Sequence, residues 1–305
     1  MSSARQKVSR WSTLAASTDS EMTMTPSSRR SGGRPKTIPI RCRGGFTLIE
    51  LLVVIAIIAV LMGILLPSLG LARDSGRRAR CMANVRSLSI AWFTYQVDNG
   101  GMLVGGNVPS YTGTPIVTSP EGDWVQPPQD EVGKYTGGSE PSIEDEWRGI
   151  KRGALYRYAQ NVDAYRCVAD QRKRTHFATF RSYSIAGGMN GEERTRYTTR
   201  AIVKYTEIRN ASTKYVFIEE ADPRKWNMGS WIVNPTGDSW ADPLSIWHNK
   251  RSTLGWADGH AEVQRWLDPR TLQMSERGSF GATHPGSLDL IFMQRGYQLR
   301  PARTR

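Results

Sequence analysis

The sequence predicts an α+β fold in which one long N-terminal helix, membrane-spanning over its first half, packs on an antiparallel β-sheet. Three observations predict it. An apolar run from Phe46 to Leu66 is broken by one charge, Glu50. Downstream, Cys81, Val85, Leu88, Trp92 and Tyr95 recur at spacings of four, three, four and three. Further on, two β-prone runs flank Asp258-Gly259.

The apolar run covers 21 residues, about 30 Å of helix and the thickness of a hydrocarbon core. A buried strand is far shorter, and a buried helix of a soluble protein is seldom apolar on every face. Residues 1–45 carry nine basic and two acidic side chains, a formal +7, which favours keeping this end in the cytoplasm. Charge alone does not decide the topology, because Arg73, Arg77, Arg78 and Arg80 make the far flank positive as well. A secretory signal is cut after its apolar region at a small-residue site, and Pro67-Ser68-Leu69 matches that pattern poorly. Met24 offers an alternative start with a shorter basic leader.

A lone carboxylate near the end of a spanning helix needs a partner. For Glu50 the best candidate is the amino group created by cutting the chain after Gly45; the alternative is water at headgroup level. Pro67 lacks a backbone donor and crowds the preceding turn, so it either kinks a helix that continues or, with Ser68, ends it. Gly63 leaves space beside such a bend. The stripe from Cys81 to Tyr95 favours continuation to about Val97, where Asp98-Asn99-Gly100-Gly101 stops the helix. A helix over residues 46–97 measures about 78 Å, with Arg73, Arg77, Arg80 and Asn84 on its polar face.

The remaining chain suffices for one domain, residues 100–305. Segment 101–146 reads as turn-rich, with Val125-Gln126-Pro127-Pro128 and acidic residues Glu140, Glu144, Asp145 and Glu146, an insertion or a variable surface loop. Residues 155–158 suggest the close of a short helix. Strands are expected at 181–185, alternating polar and apolar, and at 214–219, an aromatic and β-branched run. Residues 252–256 and 260–264 form the arms of a hairpin whose turn is Asp258-Gly259.

The stretch Arg43-Gly44-Gly45-Phe46-Thr47-Leu48-Ile49-Glu50 followed by the apolar helix resembles the leader junction of type IV prepilins and type II secretion pseudopilins. The resemblance implies a pilin-like fold, with cleavage between Gly45 and Phe46 by a membrane prepilin peptidase and N-methylation of Phe46. It gives Glu50 and Pro67 roles in assembly. The head resembles large pilin-like proteins through Cys81-Met82-Ala83-Asn84, Tyr165-Arg166-Cys167-Val168-Ala169-Asp170, with Val168 where proline is common, and His248 separated by nine residues from Asp258-Gly259. Residues 270–305 match no feature of the family.

Cleavage would remove Cys42 and leave Cys81 and Cys167 as an even pair in an exported domain, where disulfides persist. A bridge between them and two buried free thiols are the alternatives. His176, His248, His260 and His284 are scattered, and no metal-ligand or nucleotide-binding signature is present. The sequence therefore predicts no catalytic residues and no metal. His248, Asp258 and Gly259 are read as structural residues of the hairpin region, against a ligand cluster of His248, His260 and Asp258. Glu219-Glu220-Ala221-Asp222 offers oxygen ligands to calcium, which related major pseudopilins carry, or is a short solvated acidic run.

The chain is formally +13, and losing the leader lowers this to +6, which weakens a nucleic-acid reading. The ten tryptophans would help such binding only if exposed. The resulting expectation is a non-enzymatic structural subunit. Its leader is 1–45, its span 46–66, its helix continuation 67–99 and its head 100–305. It sits in the inner membrane with the N-terminus cytoplasmic and the head periplasmic, in a secretion pseudopilus or a pilus-like filament. Its expected partners are the peptidase, sibling subunits, an assembly platform and membrane lipid. The alternatives are a stand-alone membrane-anchored surface protein and a DNA-binding minor pilin.

Overall fold

The computed structural model describes residues 45–108, 122–137, 141–170, 172, 180–192, 201–221 and 229–300. The chain divides into two compact units, Met1–Ile55 and Ala56–Arg305. The first holds the junction at Gly45 and the opening turns of α1, and the second holds the rest of the helix and the sheet.

Helix α1 spans Leu48–Asp98, 51 residues. Pro67 lies inside it, so of the two readings of Pro67 the continuous helix is the one adopted. Ser68 donates its hydroxyl to Leu65 O at 2.8 Å. The stripe anticipated from periodicity is the buried face: Cys81, Val85, Leu88 and Trp92 are fully buried and Tyr95 nearly so. The helix ends in a tight turn, with Gly101 N donating to Gln96 O at 2.7 Å and both Gly100 and Gly101 at positive φ.

Five strands form one mixed sheet in the order β3-β1-β2-β4-β5: β1 Tyr183–Ala186, β2 Tyr215–Glu219, β3 Ser230–Trp231, β4 Arg251–Trp256 and β5 Ala261–Arg265. All neighbours are antiparallel except β1 and β3, which run parallel. The alternation read into β1 implied a half-buried strand, yet all four residues are buried, Ser184 included. It lies in the sheet interior with both faces covered, and its serines are buried with it. The hairpin forms as expected, by a different turn. Gly259 N donates to Trp256 O and Trp256 N to His260 O, while Gly259 alone of the three loop residues has positive φ, at 92°. This is a three-residue loop with glycine in the last position, a common alternative to a two-residue turn.

Glycine 255 fixes how α1 meets the sheet. A Cβ there would lie 2.2 Å from Ser89 Oγ and 2.7 Å from Val85 Cγ1, so the helix rests directly on the β4 backbone. The next residue, Trp256, points to the opposite face by strand alternation. There it meets Phe292 of a C-terminal helix, with ring centroids 6.4 Å apart. Two helices follow the hairpin, α3 Pro269–Arg277 and α4 Leu288–Gly296. Tyr215 Oη donates to Met293 O at 2.8 Å, and Gly296 leaves room for the Tyr215 ring. The sheet is therefore covered on both faces, by a tail in which the sequence had offered no motif.

The reading of 101–146 as a surface insertion is corrected at residues 123–129, while Glu131, Val132 and Lys134 are exposed. Asp123, Trp124, Val125, Pro127, Pro128 and Gln129 are buried. Ser142 caps helix α2, Ile143–Lys151, accepting from Asp145 N at 3.1 Å. The acidic cluster is the first turn of this helix, where carboxylates offset the positive end of the helix dipole. Glu146 is buried and accepts the Phe180 backbone N–H. The short helix thus precedes residues 155–158, which form turns. Glu140 lies outside the described residues.

Replacing Gly255 by alanine is expected to destabilise the protein by about 1–3 kcal/mol through overpacking against Val85 and Ser89. Denaturant unfolding of the detergent-extracted chain measures it, and unchanged stability would mean the helix does not seat on β4.

Candidate functional site

Two places concentrate chemistry. The first is the start of α1. Gly45 and Phe46 precede the helix and are exposed. Thr47 is its N-cap: Thr47 Oγ1 accepts from Glu50 N at 3.2 Å, while Glu50 Oε2 accepts from Thr47 N and Thr47 Oγ1, both at 2.8 Å. This reciprocal arrangement is a capping box. Glu50 therefore has a partner inside its own chain, beside the ammonium and the water that the sequence suggests. The signal was available as Thr47-Leu48-Ile49-Glu50 ahead of an apolar run.

Beyond Glu50, α1 exposes Leu51, Leu52, Val53, Val54, Ile55, Ile57, Ile58, Val60 and the residues that follow as far as Leu71. This helix is long and apolar enough to cross a membrane, and its most apolar 18-residue window is not buried at all. Such an all-round apolar surface suits lipid or other apolar helices.

The second place joins four separate segments. Cys81 comes from α1, Cys167 from the turn after the short 3₁₀ segment Val162–Tyr165, Glu219 from the end of β2, and His248 from the loop before β4. All four are fully buried. Cys81 Sγ and Cys167 Sγ lie 2.8 Å apart, both free thiols. Cys167 Sγ is 3.1 Å from His248 Nε2, which is 3.4 Å from Glu219 Oε1. Val168 N donates to Cys81 Sγ at 3.2 Å, and Thr253 Oγ1 donates to Glu219 Oε1 at 2.5 Å. Asn84 holds the Cys167 turn to the helix, donating Nδ2 to Arg166 O at 3.0 Å and Asp163 O at 3.2 Å.

The electrostatics of this cluster follow from proximity and burial. The hydrogen bond from Cys167, with help from His248, draws the Cys81 thiol down to about 4. Burial and the neighbouring Cys81 sulfur push the Cys167 thiol well up. Burial alone would lower His248, but the hydrogen bonds to Cys81 and Glu219 outweigh it and raise the imidazole to about 9. Burial raises Glu219, and the adjacent His248 opposes that shift. A thiolate beside an imidazolium is a nucleophilic pairing elsewhere, but here neither group is exposed, so no substrate reaches it.

The structure redistributes the residues anticipated from sequence. Cys81 and Cys167 come together. His248 joins them through its side chain, while its backbone N–H donates to Arg251 O at 3.2 Å at the start of the hairpin's first strand. His260 alone meets Asp258, Nδ1 to Oδ1 at 2.5 Å, and both are partly exposed. Glu219 and Glu220 are fully buried, so they are not a solvated acidic run. The calcium reading loses its geometry at Glu219, whose surroundings supply sulfur, imidazole and one hydroxyl donor in place of a set of oxygen ligands. Asp222, His176 and Cys42 lie outside the described residues. Trp92, Trp124, Trp231, Trp240, Trp256 and Trp266 are buried in the core, which removes them as a stacking surface for nucleic acid.

Comparison with known families finds the prokaryotic N-terminal methylation motif at residues 40–66, ending immediately before Pro67. No curated protein and no solved structure matches the chain. The motif is consistent with a pilin or pseudopilin family protein, a structural and not a catalytic class. The long apolar helix on a mixed sheet matches the pilin-like α+β fold.

Asn84→Ala removes both bonds that tie the Cys167 turn to α1. The expected cost is about 1–2 kcal/mol of stability, with faster alkylation of Cys167 in the native protein. Mass spectrometry of maleimide-labelled peptides reads the second effect, and equal labelling rates would contradict the clamp.

Proposed function

We propose that the chain is a pilin-like structural subunit, cut between Gly45 and Phe46 by a prepilin peptidase, N-methylated at Phe46, and assembled into a type II secretion pseudopilus or a type IV pilus-like filament. The observation that carries this reading is the methylation motif at 40–66 coinciding with a helix whose apolar surface is exposed. Inside a filament that surface is buried against neighbouring helices. The leader stays in the cytoplasm, the span sits in the inner membrane and the head is exported.

The capping box refines how Glu50 acts. In an unassembled subunit Thr47 supplies donors to the carboxylate. During assembly the new Phe46 ammonium of a neighbour replaces them, so each incorporated subunit exchanges a local hydrogen bond for an intermolecular ion pair. Low dielectric strengthens that pair, while mismatched register leaves a charge unpaired in lipid. Glu50 on this account sets register and does not take part in cleavage.

A second reading is favoured by the same geometry. Because Glu50 is satisfied within its own chain, a lone subunit can reside in the membrane without polymerising, as a stand-alone anchored surface protein. Cross-linking in native membranes separates the two. Glu50→Ala is expected to leave leader removal intact while reducing ladders of cross-linked subunits at least tenfold. Undiminished ladders would sink the register role, and the absence of any ladder from the unmodified protein would favour the stand-alone reading.

A further inference from the structure

We propose that Cys81, Cys167, Glu219 and His248 form a closed, structural binding site for one thiophilic divalent cation, most simply Zn²⁺. Their ligand atoms all lie within 4.8 Å of one another, and the four side chains are fully buried. They come from four segments of the head unit, so the ion would clamp α1 to the sheet at the level of Cys81. The proposal is independent of leader processing.

The donor set decides the kind of ion. Two sulfurs and an imidazole are soft or borderline ligands, and one carboxylate oxygen completes four. Calcium and magnesium, which take six or more oxygens, do not fit. Four protein ligands leave no open position for water, which marks a structural and not a catalytic site.

Two further observations point to an occupant. Glu219 Oε2 is buried without a hydrogen-bond partner among the described residues, although such an atom is costly to bury unsatisfied. In addition, the sulfur of Cys81 receives a backbone N–H from Val168, and Thr253 orients Glu219 through Oε1. These are the supporting contacts expected around a thiolate and a ligating carboxylate.

Seating the ion requires a small adjustment. Tetrahedral sulfurs bonded at about 2.3 Å stand roughly 3.7 Å apart, so the pair now at 2.8 Å has to open. Rotation about the cysteine side chains is the movement this calls for. The ligands bind as two thiolates, a neutral imidazole and a carboxylate, so binding releases the remaining thiol and imidazolium protons to solvent, and the cation offsets two of the three negative charges. A disulfide would serve the sulfurs alone and leave Glu219 and His248 buried without that compensation.

The test uses the full chain extracted from its native membrane in detergent without chelator. Elemental analysis is expected to find about one zinc per chain, with two alkylatable cysteines in the exported part after denaturation in chelator. After metal removal, Co²⁺ is expected to give the visible bands of tetrahedral thiolate cobalt. Cys81→Ser and Glu219→Gln should abolish or strongly weaken them, and Thr253→Val should lower affinity about tenfold or more. His260→Ala, at the exposed hairpin, should change nothing. Should Cys81→Ser fail to fold, the metal content of the unmodified chain and the Thr253→Val affinity decide alone. The proposal is overturned by a metal-free chain with two free thiols, by a metal-free chain lacking two hydrogens and titratable thiols, or by zinc retained in both ligand variants.

Discussion

Helix α1 has to satisfy two solvents, and the contact that lets it do so is the seat over Gly255. Its stripe from Cys81 to Tyr95 buries against protein, and Val85 and Ser89 touch the β4 backbone where no side chain intervenes. Fully burying Val85, Leu88 and Trp92 contributes on the order of 1.5–3 kcal/mol for each aliphatic side chain and more area for the indole. The apolar part before Leu71 makes no such contacts and is left to lipid or to other helices. The head can form around α1 because Gly255 leaves room for it, and residues 56–71 of the helix stay exposed.

The same helix delivers Cys81 to the buried cluster. That position is coupled to the seat: a shift along the stripe moves Cys81 away from Cys167 and Val168 as it moves Val85 off Gly255. Asn84 adds a third tie, one turn along, to the backbone on either side of Tyr165. Residues that look like an unrelated cysteine, asparagine and valine in the sequence are one docking surface. A cation held by Cys81, Cys167, Glu219 and His248 would join the helix to the sheet through four bonds at a point where packing alone leaves polar atoms unpaired.

Periodicity made the helix legible. The spacing of four, three, four and three named the centre of the buried face, because a helix repeats every 3.6 residues whatever it packs against, and left out Ser89, Ala91 and Gln96, which are buried beside it. The hairpin was legible through Asp258-Gly259, though its turn geometry was not, since two-residue and three-residue loops share those residues. The tail helices α3 and α4 escaped notice, although Asp268-Pro269 and Gly278 mark the ends of α3. Acidity misled at Glu146, which is buried, while Glu144 is exposed as its charge suggested; all three acids sit in the first turn of α2, where a helix N-terminus accommodates them. The cluster could not be read from spacing, because its ligands are scattered over more than half of the chain. A carboxylate closing the apolar strand Tyr215–Glu219 was the available hint that a buried charge needs a partner.

Processing at Gly45 is the claim on which the membrane and filament account rests, and intact mass with N-terminal sequencing of the membrane-extracted protein tests it most directly. The account predicts a chain that begins at N-methylated Phe46 and has lost residues 1–45. A retained leader would contradict it, and so would a first residue beyond Leu66, which would leave the head without the exposed helix.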